Sequence, residues 1–315
     1  MQYGDGSYVE GMWVSDKVQV ADTWVNNFKF QLGTNVSDIS DEDGIMGLGF
    51  SQMRLEPTYW EVLVQNQLVT SPVFSVFIDS TETAGAITFG GVDLARYSGS
   101  LTWIPASGSM KGSFYWGLEL NSISVGSTLV PLTESERYPI IDTGTSLGIF
   151  PPQLATKINN QLGLQRIDIG GTQDDYRGFS CPSGKIPSTI NLPNLAFSFG
   201  NATLTFTPQE YLFIHPDGND NLFCVSGIIP GSSNMFIIGN VLLKRYYLVF
   251  DQRAKQIGFA IANRDPVVSS QFVGAGAFDS PLGRANFRSV PQQISPSLPL
   301  GPSIPIGTPV PLSIP

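Results

Sequence analysis

Asp142 is the residue best placed to do acid–base chemistry in this sequence. It sits in Ile140-Ile141-Asp142-Thr143-Gly144-Thr145-Ser146-Leu147, a short polar turn between apolar pairs. The turn surrounds one carboxylate with donors. Gly144 lets the backbone come close enough for its N–H to reach that group, and Thr145 or Ser146 offers a hydroxyl. Donors of this kind favour the ionised form. A bare Asp-Thr-Gly is usually an ordinary Asp-initiated turn. The extension to Asp-Thr-Gly-Thr-Ser, with apolar runs on both sides, reads instead as a loop that holds a reactive carboxylate.

Other chemistries find no support. His215 is the single histidine, and it adjoins Pro216 and Asp217 in a predicted loop. A serine triad would have to use it, yet no Gly-x-Ser-x-Gly elbow occurs. No histidine–cysteine cluster has metal-ligand spacing, and there is no phosphate loop. No cofactor and no metal are expected. The net charge is −9, from Lys+Arg 17 against Asp+Glu 26, which argues against nucleic acid as a partner. No stretch is long and apolar enough to span a membrane.

The loop must be held by the elements around it. Pro-Ile-Ile before Asp142 and Leu-Gly-Ile-Phe after it read as two buried strands. Upstream, Asp5-Gly6 is a hairpin signal, followed by strand-like alternation over Gly11–Val20. Thr58–Val69 has helical spacing. Phe74–Ile78 and Gly85–Gly91 read as a strand pair, and Trp116–Ile123 alternates as a strand. Pro151–Leu162 is a second helix with Pro at its start. Apolar strands follow at Leu192–Phe199, Phe236–Asn240, Tyr246–Asp251 and Ile257–Ala260. From Arg264 the chain is rich in Pro, Ser and Gly without sustained periodicity, which predicts a disordered or polyproline-like tail.

Hydrophobic residues make up 42% of the 315, enough for a packed core. The two cysteines, Cys181 and Cys224, could be free thiols. Asn35-Val-Ser and Asn201-Ala-Thr are glycosylation sequons, and with them a single disulfide in a secreted glycoprotein is the better reading. Met1–Gly6 has neither a basic start nor an apolar run, so it is not a signal peptide. A secreted protein without one points to a missing N-terminus.

Several motifs together resemble the pepsin-like aspartic peptidases. They are Tyr3-Gly4-Asp5-Gly6-Ser7, Asp43-Gly44-Ile45-Met46-Gly47-Leu48-Gly49, Phe89-Gly90-Gly91-Val92-Asp93, Asp142-Thr143-Gly144-Thr145-Ser146, Ile237-Ile238-Gly239 and Tyr246-Tyr247-Leu248-Val249-Phe250-Asp251. They occur in the family's order between Tyr3 and about Arg264, and the first has the form common in fungal members. The resemblance implies an all-β, bilobal acid-protease fold. It also implies an endopeptidase in which water is activated between two aspartates, with a peptide or protein as substrate. Asp142 is then catalytic, and Tyr3, Gly4 and Asp5 belong to the flap over the substrate. Gly144 and Thr145 contact substrate, and Cys181 pairs with Cys224 as in the family's C-terminal lobe. A monomer, secreted or at the cell surface or in a vacuole, is expected.

The sequence departs from the family in two places. Asp142 stands in its only Asp-Thr/Ser-Gly triplet, and the family's first catalytic loop precedes the flap. The expectation is therefore a first lobe truncated at its N-terminus (1–100), a C-terminal lobe (101–264) and a tail (265–315). Such a chain would be inactive alone, and a lone Asp142 would titrate near the ordinary Asp value of about 3.9. Rival readings are a homodimeric peptidase giving one Asp per chain, or a non-enzymatic surface protein. Asn240 replaces an Asp found in many relatives, and the loss of that anion should lower the pKa of Asp142.

Overall fold

Thr58 starts the first helix of the computed structural model. Its side chain accepts from the Glu61 N–H, and the Glu61 carboxylate accepts from the Thr58 N–H, forming a capping box. The helix runs Tyr59–Gln65, shorter than its periodicity predicts. Gln67 ends it by taking a left-handed conformation (φ +54°). The second helix, Pro152–Gln161, begins with Pro at its first position and buries Leu154, Ala155 and Ile158. The structure describes residues 8–37, 44–51, 56–80, 84–107, 115–169, 175–217, 219, 221–231, 235–263 and 272–274. Most of the regular structure is strand, so the molecule is all-β.

The described residues divide into two units: those up to Pro105 with those from Tyr246, and Ala106–Arg245. In the first, a five-stranded antiparallel sheet has the order Gly85–Phe89, Val73–Ile78, Tyr246–Asp251, Gln256–Ala262, Tyr97–Pro105. Its two central strands come from late in the sequence. Tyr246–Asp251 pairs with Val73–Ile78, and Gln256–Ala262 with Tyr97–Pro105. Trp60 packs on Phe74 and Phe89, and Phe74 stacks on Phe250. These aromatic contacts fasten the first helix to the sheet.

The unit also carries a long hairpin, Tyr8–Val20 with Thr23–Ser37. Its two-residue turn lies at Ala21-Asp22, where Ala21 takes a positive φ (+49°). The Asp5-Gly6 turn lies outside the described residues. The tail reading needs one correction. Phe272–Gly274 is a strand, paired antiparallel with Gly91–Asp93. The Phe-Val pair has the β propensity to use an open strand edge.

In the second unit, Leu195–Phe199 pairs with Ala202–Phe206 and with Ser122–Val125. Phe150, Phe197 and Phe206 form its aromatic core. Of the predicted strand Trp116–Ile123, only Ser122 and Ile123 join a strand; Gly117 and Leu118 make isolated bridges to Ile140 and Ala106. A further sheet carries the Asp142 loop and is described next.

Candidate active site

The strands flanking the Asp142 loop are not neighbours. Ile140–Ile141 leads in and Gly148–Phe150 leads out, and Ile237–Ile238 lies between them. That middle strand runs parallel to Ile140–Ile141 and antiparallel to Gly148–Phe150. Ile228–Pro230 closes the far side, parallel to Gly148–Phe150. The loop therefore crosses over the end of a strand that arrives nearly a hundred residues later. Ile141, Phe150, Ile237 and Ile238 are all buried, so the apolar pairs around Asp142 anchor the loop ends in the core.

The chain after Ile238 grips the loop. The N–H groups of Asn240 and Val241 open a short helix and donate to the carbonyls of Thr145 (2.7 Å) and Ser146 (2.8 Å). These would otherwise be unpaired helix-start donors. The Asn240 side-chain amide donates to the Thr143 carbonyl at 3.1 Å, and the Asp142 N–H donates to the Ile238 carbonyl at 3.2 Å. Gly239 makes this approach possible. A Cβ there would lie 2.2 Å from the Leu147 carbonyl oxygen and 2.4 Å from that of Thr145.

Within this frame both oxygens of Asp142 meet donors from their own loop. The Gly144 N–H donates to Oδ1 at 2.9 Å and the Thr145 hydroxyl to Oδ2 at 2.7 Å. Thr145 is buried, and Gly144 is half-buried. The loop so brings together Asp142, Gly144 and Thr145, three of the predicted site residues. Ser146, the other hydroxyl considered, gives its carbonyl to the Val241 N–H.

The protonation of Asp142 differs from expectation. Burial pushes its carboxyl above the usual aspartate value, and the bonds from Thr145 and Gly144 pull the other way but less. The residue as a whole is half-buried. Protein packed around it removes enough hydration to disfavour the charge. A value near the ordinary one, set mainly by hydrogen bonds, is therefore corrected upward. A carboxyl of this kind keeps its proton to a higher pH than a free aspartate and can exchange it with a polar atom placed before it.

The remaining predicted residues lie elsewhere. Tyr3, Gly4 and Asp5 are outside the described residues. Cys181 and Cys224 form a disulfide with Cα atoms 5.3 Å apart, and the bridge spans 43 residues of sequence. It ties Leu222–Ser226 to the chain just after Arg177–Ser180, two strands that already pair. Asn35 and Asn201 are both exposed. Asn201 lies at the turn between Leu195–Phe199 and Ala202–Phe206. Among the described residues no group of three or more His, Cys, Asp or Glu could hold a metal ion, and no helix is long and apolar enough to cross a membrane.

Sequence reasoning did not foresee the clamp formed by Gly239, Asn240 and Val241. The Ile-Ile-Gly motif was visible, but nothing local says that this glycine touches a loop so far upstream.

An all-β chain that holds an Asp-Thr-Gly carboxylate on a crossed-strand loop is of the aspartic-peptidase class. Comparison with known proteins agrees. Residues 1–262 match the family Eukaryotic aspartyl protease, and the chain belongs to it, with a pepsin-like fold. The chain is 33% identical to cathepsin E of Rattus norvegicus over 281 residues, 83% of this chain and 65% of that protein. It is 30% identical to gastricsin of Macaca fuscata fuscata, covering 83% of this chain and 68% of that protein. It is also 30% identical to rhizopuspepsin-1 of Rhizopus niveus, covering 84% and 64%. The chain thus spans about two thirds of the length of these relatives.

Proposed function

We propose that Asp142 is one half of the catalytic pair of an aspartic endopeptidase. The carrying observation is its carboxylate, bonded by Gly144 and Thr145 within a loop clamped from Gly239 to Val241. In this mechanism two carboxylates share one proton because two like charges so close cannot both ionise cheaply. One carboxylate takes a proton from the attacking water, and the other hydrogen-bonds the carbonyl under attack. The substrate is an extended peptide, with Gly144 and Thr145 as contacts and Tyr3, Gly4 and Asp5 as the covering flap. The flap lobe takes 1–100 and the lobe with Asp142 falls within 101–264, whose last two strands, Tyr246–Asp251 and Gln256–Ala262, are given back to the sheet of the first unit; 265–315 form the tail.

The 315 residues hold a single Asp-Thr/Ser-Gly triplet. On this reading the second carboxylate comes from outside this sequence, and the sequence alone does not hydrolyse peptides. The Cys181–Cys224 bridge and the exposed sequons at Asn35 and Asn201 support a glycosylated protein of the secretory route; a monomer is the proposed state.

The test is digestion of an unfolded protein in acid. It compares the chain as given, a product extended upstream in its own reading frame, and the Asp142→Asn variant of each. The extended product should cut, be blocked by pepstatin-type inhibitors and lose activity on substitution, while the chain as given should not cut. Cleavage by the chain as given that Asp142→Asn abolishes would favour a homodimer with one Asp per chain. An extended, folded product that carries both aspartates and does not cut would favour a non-enzymatic binding protein.

A further inference from the structure

The Gly91–Asp93 strand has one side committed to the core and one side open to pairing. The Gly91 carbonyl accepts from the Ser75 hydroxyl at 2.9 Å. The Asp93 N–H donates to the Tyr247 hydroxyl at 2.8 Å, which in turn donates to Ser75 at 2.7 Å. Along an extended strand, the backbone groups of successive residues point to alternate edges. Gly91 and Asp93 face Ser75 and Tyr247, so the N–H and C=O of Val92 face the opposite edge. Val273 lies opposite Val92 there, with Phe272 opposite Asp93 and Gly274 opposite Gly91.

The edge is also fixed in place. The Val92 side chain is fully buried and packs with Val73, Phe77, Tyr97, Tyr247 and Val249. The Asp93 carboxylate accepts from the Ala95 N–H and pairs with Arg96. An incoming strand therefore meets a prepared donor and acceptor and pays little for reorganisation. The sequence also suits its occupant. From Pro291 to Pro315 prolines recur every few residues, and proline has no N–H to give. Gln271-Phe272-Val273-Gly274 is free of proline and has a β-prone pair at its centre.

We propose that the Gly91–Asp93 edge is a strand-acceptor site that binds one extended segment through backbone pairing at Val92. Phe272–Gly274 is its resident occupant, and it ties the Pro-rich tail to the first unit. Recognition is by main chain, as in strand addition to a sheet edge. The contact is only three residues long, so it releases readily and an added strand of the same sequence takes its place.

The test uses the full chain and follows hydrogen exchange at the Val92 amide. Val273→Pro removes the donor opposite Val92 and should speed that exchange about tenfold, the loss of about one net hydrogen bond. Exchange in the Val73–Ile78 and Tyr246–Asp251 strands should stay unchanged, which separates release of the tail from unfolding. A peptide of residues 269–277, added to the Val273→Pro chain, should restore protection at Val92. The same peptide N-methylated at Val273 should not, while N-methylation at Phe272, whose amide points away, should leave binding intact. Equal Val92 exchange in the parent and Val273→Pro chains would overturn the pairing. Loss of protection that the peptide does not restore would overturn the acceptor site.

Discussion

Gly239 has no space for a side chain, and its neighbours are backbone atoms that cannot swing away. Gly239→Ala should therefore cost on the order of 2–4 kcal/mol, as overpacking against fixed groups does. Gly163→Ala is the comparison. A Cβ there meets nothing within 4 Å but must adopt φ +78°, so it should cost only about 1 kcal/mol. Denaturant titration of the two variants ranks them, and equal losses would mean that the clamp yields. Asp142 makes a prediction about pH. Its carboxyl titrates above the unfolded value because of burial, so the folded state favours the neutral form. The resulting stability is fully present below the unfolded pKa and is lost as pH rises through the folded pKa. Asp142→Asn stays neutral throughout, so it should raise Tm at pH 7 and leave it nearly unchanged near pH 3. Asn240 tests the field on the same carboxyl. It is buried, and its Oδ1 has no partner among the described residues. Asn240→Asp would place a second negative charge beside the loop and should move the titration of Asp142 further up. An unchanged titration would show that the new charge is screened by solvent.

The Cys181–Cys224 bridge lies between strands that are already paired, at Phe179 with Cys224. Cys181→Ser with Cys224→Ser should cost about 3–4 kcal/mol through the freed denatured chain, without changing the register of that pair. The long hairpin carries Met12 (58% exposed) directly opposite Leu32 (49% exposed). Exposed apolar pairs on a strand ribbon invite self-association. Replacing both with Lys should lower light scattering of the concentrated protein. The elements were legible in the sequence wherever their cause is local. Helical spacing from Thr58 marked one helix, Pro151-Pro152 the start of another, and Asp142-Thr143-Gly144 the loop. The helix stop at Gln67 was not legible, since glutamine carries no preference for a left-handed backbone. Nor was the strand order around Asp142, because Ile237-Ile238 is placed by packing and not by anything near Asp142 in sequence. The acidity of Asp142 was misjudged for a related reason. Its two donors are neighbours in sequence, but the protein that desolvates it is not.

At the scale of the whole molecule, the proposed function rests on the one Asp-Thr-Gly loop of this sequence and its single carboxylate, Asp142. A pair of carboxylates sharing a proton titrates in two coupled steps that belong to the pair. A single buried one titrates once. The most direct measurement is the NMR titration of the Asp142 side-chain carboxyl carbon in the chain as given, at two protein concentrations. One step is expected at both concentrations, with its midpoint above the ordinary aspartate value. Two coupled steps, or a midpoint that moves with concentration, would contradict this by showing that this chain or a second copy already supplies the partner carboxylate.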